Sequence, residues 1–155
     1  INARWEARKA DERQQRGQTG VLADVPQSLP ALSRAAKLGR RAARVGFDWS
    51  DAAGARAKVF EEIAELDAAV AADDADNMAE ELGDLLMAVS SWSRQLRLDP
   101  EACLRRSNRK LERRFAAMEQ SAAAQGLALE SLSAEAWESL WQQAKRSLPA
   151  AGEDS

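Results

Sequence analysis

Val59-Phe60-Glu61-Glu62-Ile63-Ala64-Glu65-Leu66, followed about a dozen residues later by Met78-Ala79-Glu80-Glu81-Leu82-Gly83-Asp84-Leu85, is the stretch whose reading decides the fold. At about 100° per residue, Val59, Ile63, Leu66 and Val70 form one apolar stripe, with Glu62 and Glu65 on its flank. Met78, Leu82, Leu85 and Val89 form a second stripe, with Glu81 and Asp84 on the same flank. Both segments therefore read as amphipathic helices. The acidic turn between them, with Asp73, Asp74 and Asp76, is too short to allow anything but an antiparallel pair. Antiparallel helices are related by a two-fold axis that brings matching flanks to the same side, so the two acidic doublets are expected to meet.

The surrounding sequence agrees with an all-α fold. Of the 155 residues, 45% are apolar, enough for a core; Tyr is absent and good helix formers dominate. The expected architecture is a helical bundle with short connections. Ser28 is expected to cap a first body helix with Pro30 in its first turn, running to about Val45 and stopping at Gly46. Ser50 is expected to cap the first acidic helix, which runs to about Ala72, and the second acidic helix to run to about Leu96. Asp99-Pro100 starts a fourth helix ending near Gly126, and a last one spans about Ser133 to Arg146. Residues 1–28 read as an N-terminal charged helix with Trp5 and a linker, 29–148 as the helical domain and 149–155 as a frayed tail. The opening at Ile1 suggests a segment of something longer.

Composition also excludes chemistry. There is no histidine, so Ser-His-Asp and Cys-His catalysis and imidazole metal sites are ruled out. Glycine-rich phosphate loops are missing too. A net charge of −3 argues against a nucleic-acid backbone or an acidic membrane as the main partner. No stretch approaches the length of a membrane span, no signal-peptide pattern opens the chain, and the single cysteine, Cys103, reads as a packing residue. These features suggest the cytoplasm.

Residues three apart share a helix face, so Glu62 with Glu65 and Glu81 with Asp84 can each chelate one cation. Four converging carboxylates repel unless neutralised, and an all-oxygen donor set points to a hard ion, Mg²⁺ with Mn²⁺ as a substitute. The alternative is that they are solvated glutamates on amphipathic helices. Lys110 and Arg114, four apart in Asn108-Arg109-Lys110-Leu111-Glu112-Arg113-Arg114, suit a polyphosphate, or else form a solvated basic face. Trp141 with Lys145 offers a stacking plane beside a cation, or a core tryptophan, and Lys37 is a weaker candidate cation.

These residues resemble a known family. Glu61–Glu65 matches an EExxE motif, Glu81–Asp84 an ExxD motif and Asn108–Arg114 an N-x-K-x-x-R-R segment. With Trp5-Glu6, the run Asp24 to Leu32, Val45-Gly46-Phe47-Asp48-Trp49 and Trp141 to Lys145, they make the chain similar to the C-terminal half of bacterial MazG nucleoside triphosphate pyrophosphohydrolases. The resemblance implies an all-α, tightly dimeric fold and Mg²⁺-dependent cleavage of a nucleoside triphosphate between the α and β phosphates. It implies Glu62, Glu65, Glu81 and Asp84 as metal ligands, with Glu61 and Glu80 as assisting neighbours, either of which could orient the attacking water. Lys37, Asn108, Lys110, Arg114, Trp141 and Lys145 become candidate substrate contacts. The departures are an absent N-terminal repeat and Ser90-Ser91-Trp92 in place of a more aliphatic run. A non-catalytic module that binds nucleotide or metal, and a basic bundle that binds nucleic acid through Arg105, Arg106, Arg109 and Arg113, are the rival readings.

Overall fold

The structure is a computed structural model that describes residues 20–147. The expected helix Ile1–Arg16 and the tail beyond Pro149 lie outside the described residues. Five α-helices follow in order: α1 (Ala31–Arg44), α2 (Ala52–Ala71), α3 (Ala75–Gln95), α4 (Pro100–Ala124) and α5 (Ala134–Ser147), with a 3-10 turn at Leu129–Ser131 before the last. No strand occurs among the described residues, so the all-α expectation holds.

The helix starts show how local chemistry sets the boundaries. Ser28 does not cap α1; Pro30 takes the cap position, with no side-chain bond to the first turn. Its φ of −51° already suits a helix entry, and its carbonyl accepts from the Arg34 N–H at 2.9 Å. Ser50 is likewise not the cap of α2. Asp51 is extended there and its Oδ1 accepts from the Gly54 N–H at 2.8 Å. Asp74 does the same for α3 at the Asn77 N–H, 3.1 Å away. Asp99 Oδ1 accepts from the Glu101 N–H at 3.0 Å, as the Asp-Pro signal implies, and Ser133 Oγ accepts from the Ala136 N–H at the start of α5. Gly46 and Gly126 leave α1 and α4 with φ of +92° and +67°, conformations in which a Cβ is strained.

The chain divides into two compact units, one ending at Glu101 and the other beginning at Ala102. In the first, α2 and α3 pack along one another as a hairpin and α1 lies on α3. The loop from α1 to α2 is tied to the end of α3: Arg94 makes a two-pronged ion pair with Asp48, and Gln95 Nε2 donates to Asp48 Oδ1 and to the Trp49 carbonyl, both at 3.1 Å. The hydrogen bonds from Arg94 hold the Asp48 carboxyl below its ordinary pKa. Beside this tie, Leu38, Gly39, Phe47, Trp49 and Met87 help to line a cavity of about 460 Å³. The second unit has its own small core, in which Met118, Ala122, Leu140 and Ala144 are buried and Trp137 and Trp141 pack against them.

The apolar stripes differ from expectation. On α2 the buried line is Ala55, Val59, Glu62 and Ala69, while Ile63 and Val70 are exposed. On α3 Ala88 and Ser90 are buried, while Leu82 and Val89 are exposed. The buried positions of the two helices are mostly small, with Val59 the largest apolar side chain among them, while Ile63, Val70, Leu82 and Leu86 stay exposed. Cys103, expected to pack, is exposed.

The cap assignment predicts that Asp51→Ala lowers unfolding free energy by about 1 kcal/mol, whereas Ser50→Ala stays within about 0.5 kcal/mol of the parent. Urea denaturation of the two variants distinguishes them, and a larger loss at Ser50 would contradict the observed cap.

Candidate metal centre

The tight turn brings the acidic segments of α2 and α3 to the same height. Glu62 lies eleven residues before Asp73 and Asp84 eleven after it, while Glu65 and Glu81 are each eight away. Carboxylate oxygens of Glu62, Glu81 and Asp84 all lie within 4.8 Å of one another. Glu62 of α2 therefore meets both members of the α3 doublet, Glu81 and Asp84. The expectation that the doublets flank an apolar seam is corrected by the burial of Glu62, which is only 4% exposed.

Glu62 is the unusual member. Its Oε1 lies 2.6 Å from Lys58 Nζ, while Oε2 is buried with no hydrogen-bond partner. A carboxylate oxygen left without a partner inside a protein is costly, and a cation drawn to three converging carboxylates would relieve that cost. The trio fits a hard metal ion by this test, since every donor is a carboxylate oxygen and one is already desolvated. Glu65, expected as the fourth ligand, stands outside the trio but beside it. Its pKa is raised above the ordinary carboxylate value by partial desolvation first, then by the close approach and charge of Glu62 and the charge of Glu81.

Glu61 and Glu80 are exposed on their helices. Glu61 accepts a hydrogen bond from Lys58 at 2.7 Å, so one lysine spans both members of the Glu61–Glu62 doublet. The hydrogen bonds to Glu61 and then Glu62 raise the pKa of Lys58 above its ordinary value. Lys58 is a residue that the sequence reasoning missed, although its i, i+3 and i, i+4 spacing to the two glutamates marks it as their partner.

The basic candidates fall elsewhere. Lys37 is half-buried on α1 of the first unit. In the second unit, Asn108 and Lys110 are exposed on α4, and the Arg114 guanidinium lies 5.2 Å from the centre of the Trp141 ring. Trp141 thus serves both readings: it packs against the core of that unit and offers a face that already holds a cation. Lys145 is half-buried on the same helix. Phe115 and Trp137 stack with ring centres 6.0 Å apart.

An antiparallel helical pair with three carboxylates gathered on its seam defines an all-α protein with a candidate site for a hard cation. Comparison with known proteins places it more closely. Residues 51–117 match the MazG nucleotide pyrophosphohydrolase domain, a span that holds all of α2 and α3, and the chain carries a domain of the MazG family. It is 44% identical over 148 residues to the nucleoside triphosphate pyrophosphohydrolase of Escherichia coli K12, covering 94% of this chain and 56% of that protein. It is 38% identical over 141 residues to the nucleoside triphosphate pyrophosphohydrolase/pyrophosphatase MazG of Thermotoga maritima, covering 91% of this chain and 54% of that protein. An uncharacterized Bacillus subtilis protein, YabN, is 39% identical over 146 residues, which make up 94% of this chain and 30% of that protein. The chain thus spans about half the length of the two named pyrophosphohydrolases.

The raised pKa of Glu65 has a definite sign. A carboxyl whose folded pKa lies above its unfolded one binds its proton more tightly when folded, so its ionisation costs stability at pH above the raised value and nothing below the unfolded value. Glu65→Gln is therefore expected to raise the urea midpoint of the metal-free protein at pH 7.5 and to leave it unchanged at pH 3. Equal midpoints at both pH values would contradict the crowding of Glu65 by its neighbours.

Proposed function

We propose that this chain hydrolyses nucleoside triphosphates to a nucleoside monophosphate and pyrophosphate, with Mg²⁺ held by Glu62, Glu81 and Asp84 and with Glu65 as a fourth ligand. The observation that carries the reading is the buried, unpartnered Oε2 of Glu62 within 4.8 Å of carboxylate oxygens on α3. The named activity of the Escherichia coli and Thermotoga relatives supports it. Mn²⁺ is the expected substitute. A role in clearing aberrant or surplus nucleotides, in the cytoplasm, belongs to the same proposal. No helix among the described residues is long and apolar enough to cross a membrane.

A bound divalent cation supplies charge neutralisation for the polyphosphate and acidifies a water for attack on the α-phosphorus. The chain's own residues do the rest. The four carboxylates hold the cation, and Glu61 or Glu80 orients the water. Lys37, Asn108, Lys110, Arg114, Trp141 and Lys145 are proposed substrate contacts, Lys110 and Arg114 as phosphate-holding cations and Trp141 as a stacking plane. Water adds to the α-phosphorus, the bond from that atom to the α–β bridging oxygen breaks, and the β and γ phosphates leave together as pyrophosphate.

The same reading includes a homodimer. Val70, Leu82 and Leu86 are 56%, 48% and 52% exposed on the outward faces of α2 and α3, and Phe60 and Ile63 are exposed with them. Two helices of one hairpin with such faces form half of a helical core, and a second copy would complete it with identical chemistry.

Three outcomes follow. Glu62→Gln, Glu81→Gln and Asp84→Asn are each expected to lower turnover by about 100-fold or more while remaining helical by circular dichroism. In ¹⁸O-labelled water the label should enter the monophosphate, with orthophosphate formed only after added pyrophosphatase; diphosphate product would overturn the reaction, and near-normal turnover in two of the variants would overturn the site. Sedimentation should show a dimer at micromolar concentration, and Leu86→Asp should shift it toward monomer; a monomeric parent would refute the dimer.

A further inference from the structure

We propose that Lys58 is the built-in counter-ion of the metal-free carboxylate site, and that a divalent cation loads by drawing Glu62 away from Lys58, which then stays tethered to Glu61. The proposal rests on the carboxylate trio being the metal site. Its observations are separate ones. Lys58 Nζ lies 2.6 Å from Glu62 Oε1 and 2.7 Å from Glu61 Oε1, so a single ammonium is shared between a buried carboxylate and an exposed one. The two oxygens of Glu62 are thereby divided: one on Lys58, the other desolvated and without a partner.

Two demands meet at Glu62. A buried carboxylate with no positive charge near it is expensive, so the metal-free protein needs Lys58. Once a divalent cation sits on the trio, an ammonium on the same carboxylate is a like charge at close range, in surroundings that screen poorly. The chain resolves this with a second acceptor one residue away. Glu61, exposed and outside the trio, can keep the ammonium when Glu62 is taken. The first glutamate of the doublet is thus a holding site for the lysine. The cost of this design is weaker metal binding, since part of the cation's attraction to Glu62 goes into breaking the contact with Lys58.

The test is Mn²⁺ binding to the whole chain, followed by electron paramagnetic resonance of the free ion, in wild type, Lys58→Met and Lys58→Arg, with a urea midpoint measured for each metal-free protein. Lys58→Met is expected to lower the urea midpoint yet to bind Mn²⁺ at least tenfold more tightly, while Lys58→Arg, which keeps the charge, stays within about threefold of wild type. A purely structural lysine gives the opposite sign, because loss of a positioning contact loosens the site. Unchanged or weaker Mn²⁺ binding in Lys58→Met therefore overturns the counter-ion. If Lys58→Met cannot be isolated folded, Lys58→Gln, which retains a hydrogen-bond donor without charge, is expected to show the same tightening, and failure to tighten overturns the proposal equally. Absence of Mn²⁺ binding in wild type would instead overturn the metal site itself, so the two failures are told apart.

Discussion

Mutual repulsion among carboxylates is the constraint around which the first unit is organised. Glu62, Glu81 and Asp84 converge from two helices, with Glu65 beside them, and Glu62 has lost nearly all its water. Such a gathering is stable only if the backbone fixes it and if positive charge is at hand. The first requirement is met by the α2–α3 hairpin, whose buried positions are mostly small, Ala55, Ala69, Ala88 and Ser90, with Val59 beside Glu62 on α2. The second is met by Lys58.

Small residues on the inside have a counterpart on the outside. A 20-residue helix paired with a 21-residue one must bury apolar area somewhere, and the side chains large enough to do so, such as Leu86 and Val70, face away from the hairpin. The geometry that accommodates the acidic site and the geometry that leaves an apolar face exposed are therefore two results of one choice of residues. Swapping the faces would bury leucine at the cost of expelling the site.

Periodicity made the helices and the meeting of the two acidic segments legible, because a turn from Ala72 to Asp74 leaves α3 no direction but back along α2. It did not reveal which face was packed. Both acidic helices carry two apolar faces, and counting large residues favours Ile63 and Leu82 over the alanines that are buried. Capping was hidden for a related reason: Ser50 and Asp51 are adjacent, both can accept a backbone hydrogen bond, and only the extended conformation of Asp51 decides between them. Lys58 left no distinct mark in the sequence because a lysine four residues from a glutamate reads as an ordinary helix-surface pair, and burial of Glu62 is what changes its meaning. The basic and aromatic candidates of α4 and α5 were found as residues, while Arg114 resting on the Trp141 ring is a contact that spans 27 positions of sequence and leaves no local mark.

Asp73 adopts a left-handed φ of 53° without being glycine. It lies midway between the two acidic doublets, and each residue added beyond it would advance α3 by about 1.5 Å and turn it by about 100°. A residue inserted at the start of α3 would carry Glu81 and Asp84 off the seam although every carboxylate remained in the sequence. The turn between the acidic helices is thus a ruler, with Asp74 marking where α3 begins, and natural variation there should consist of substitutions that keep its length rather than insertions or deletions.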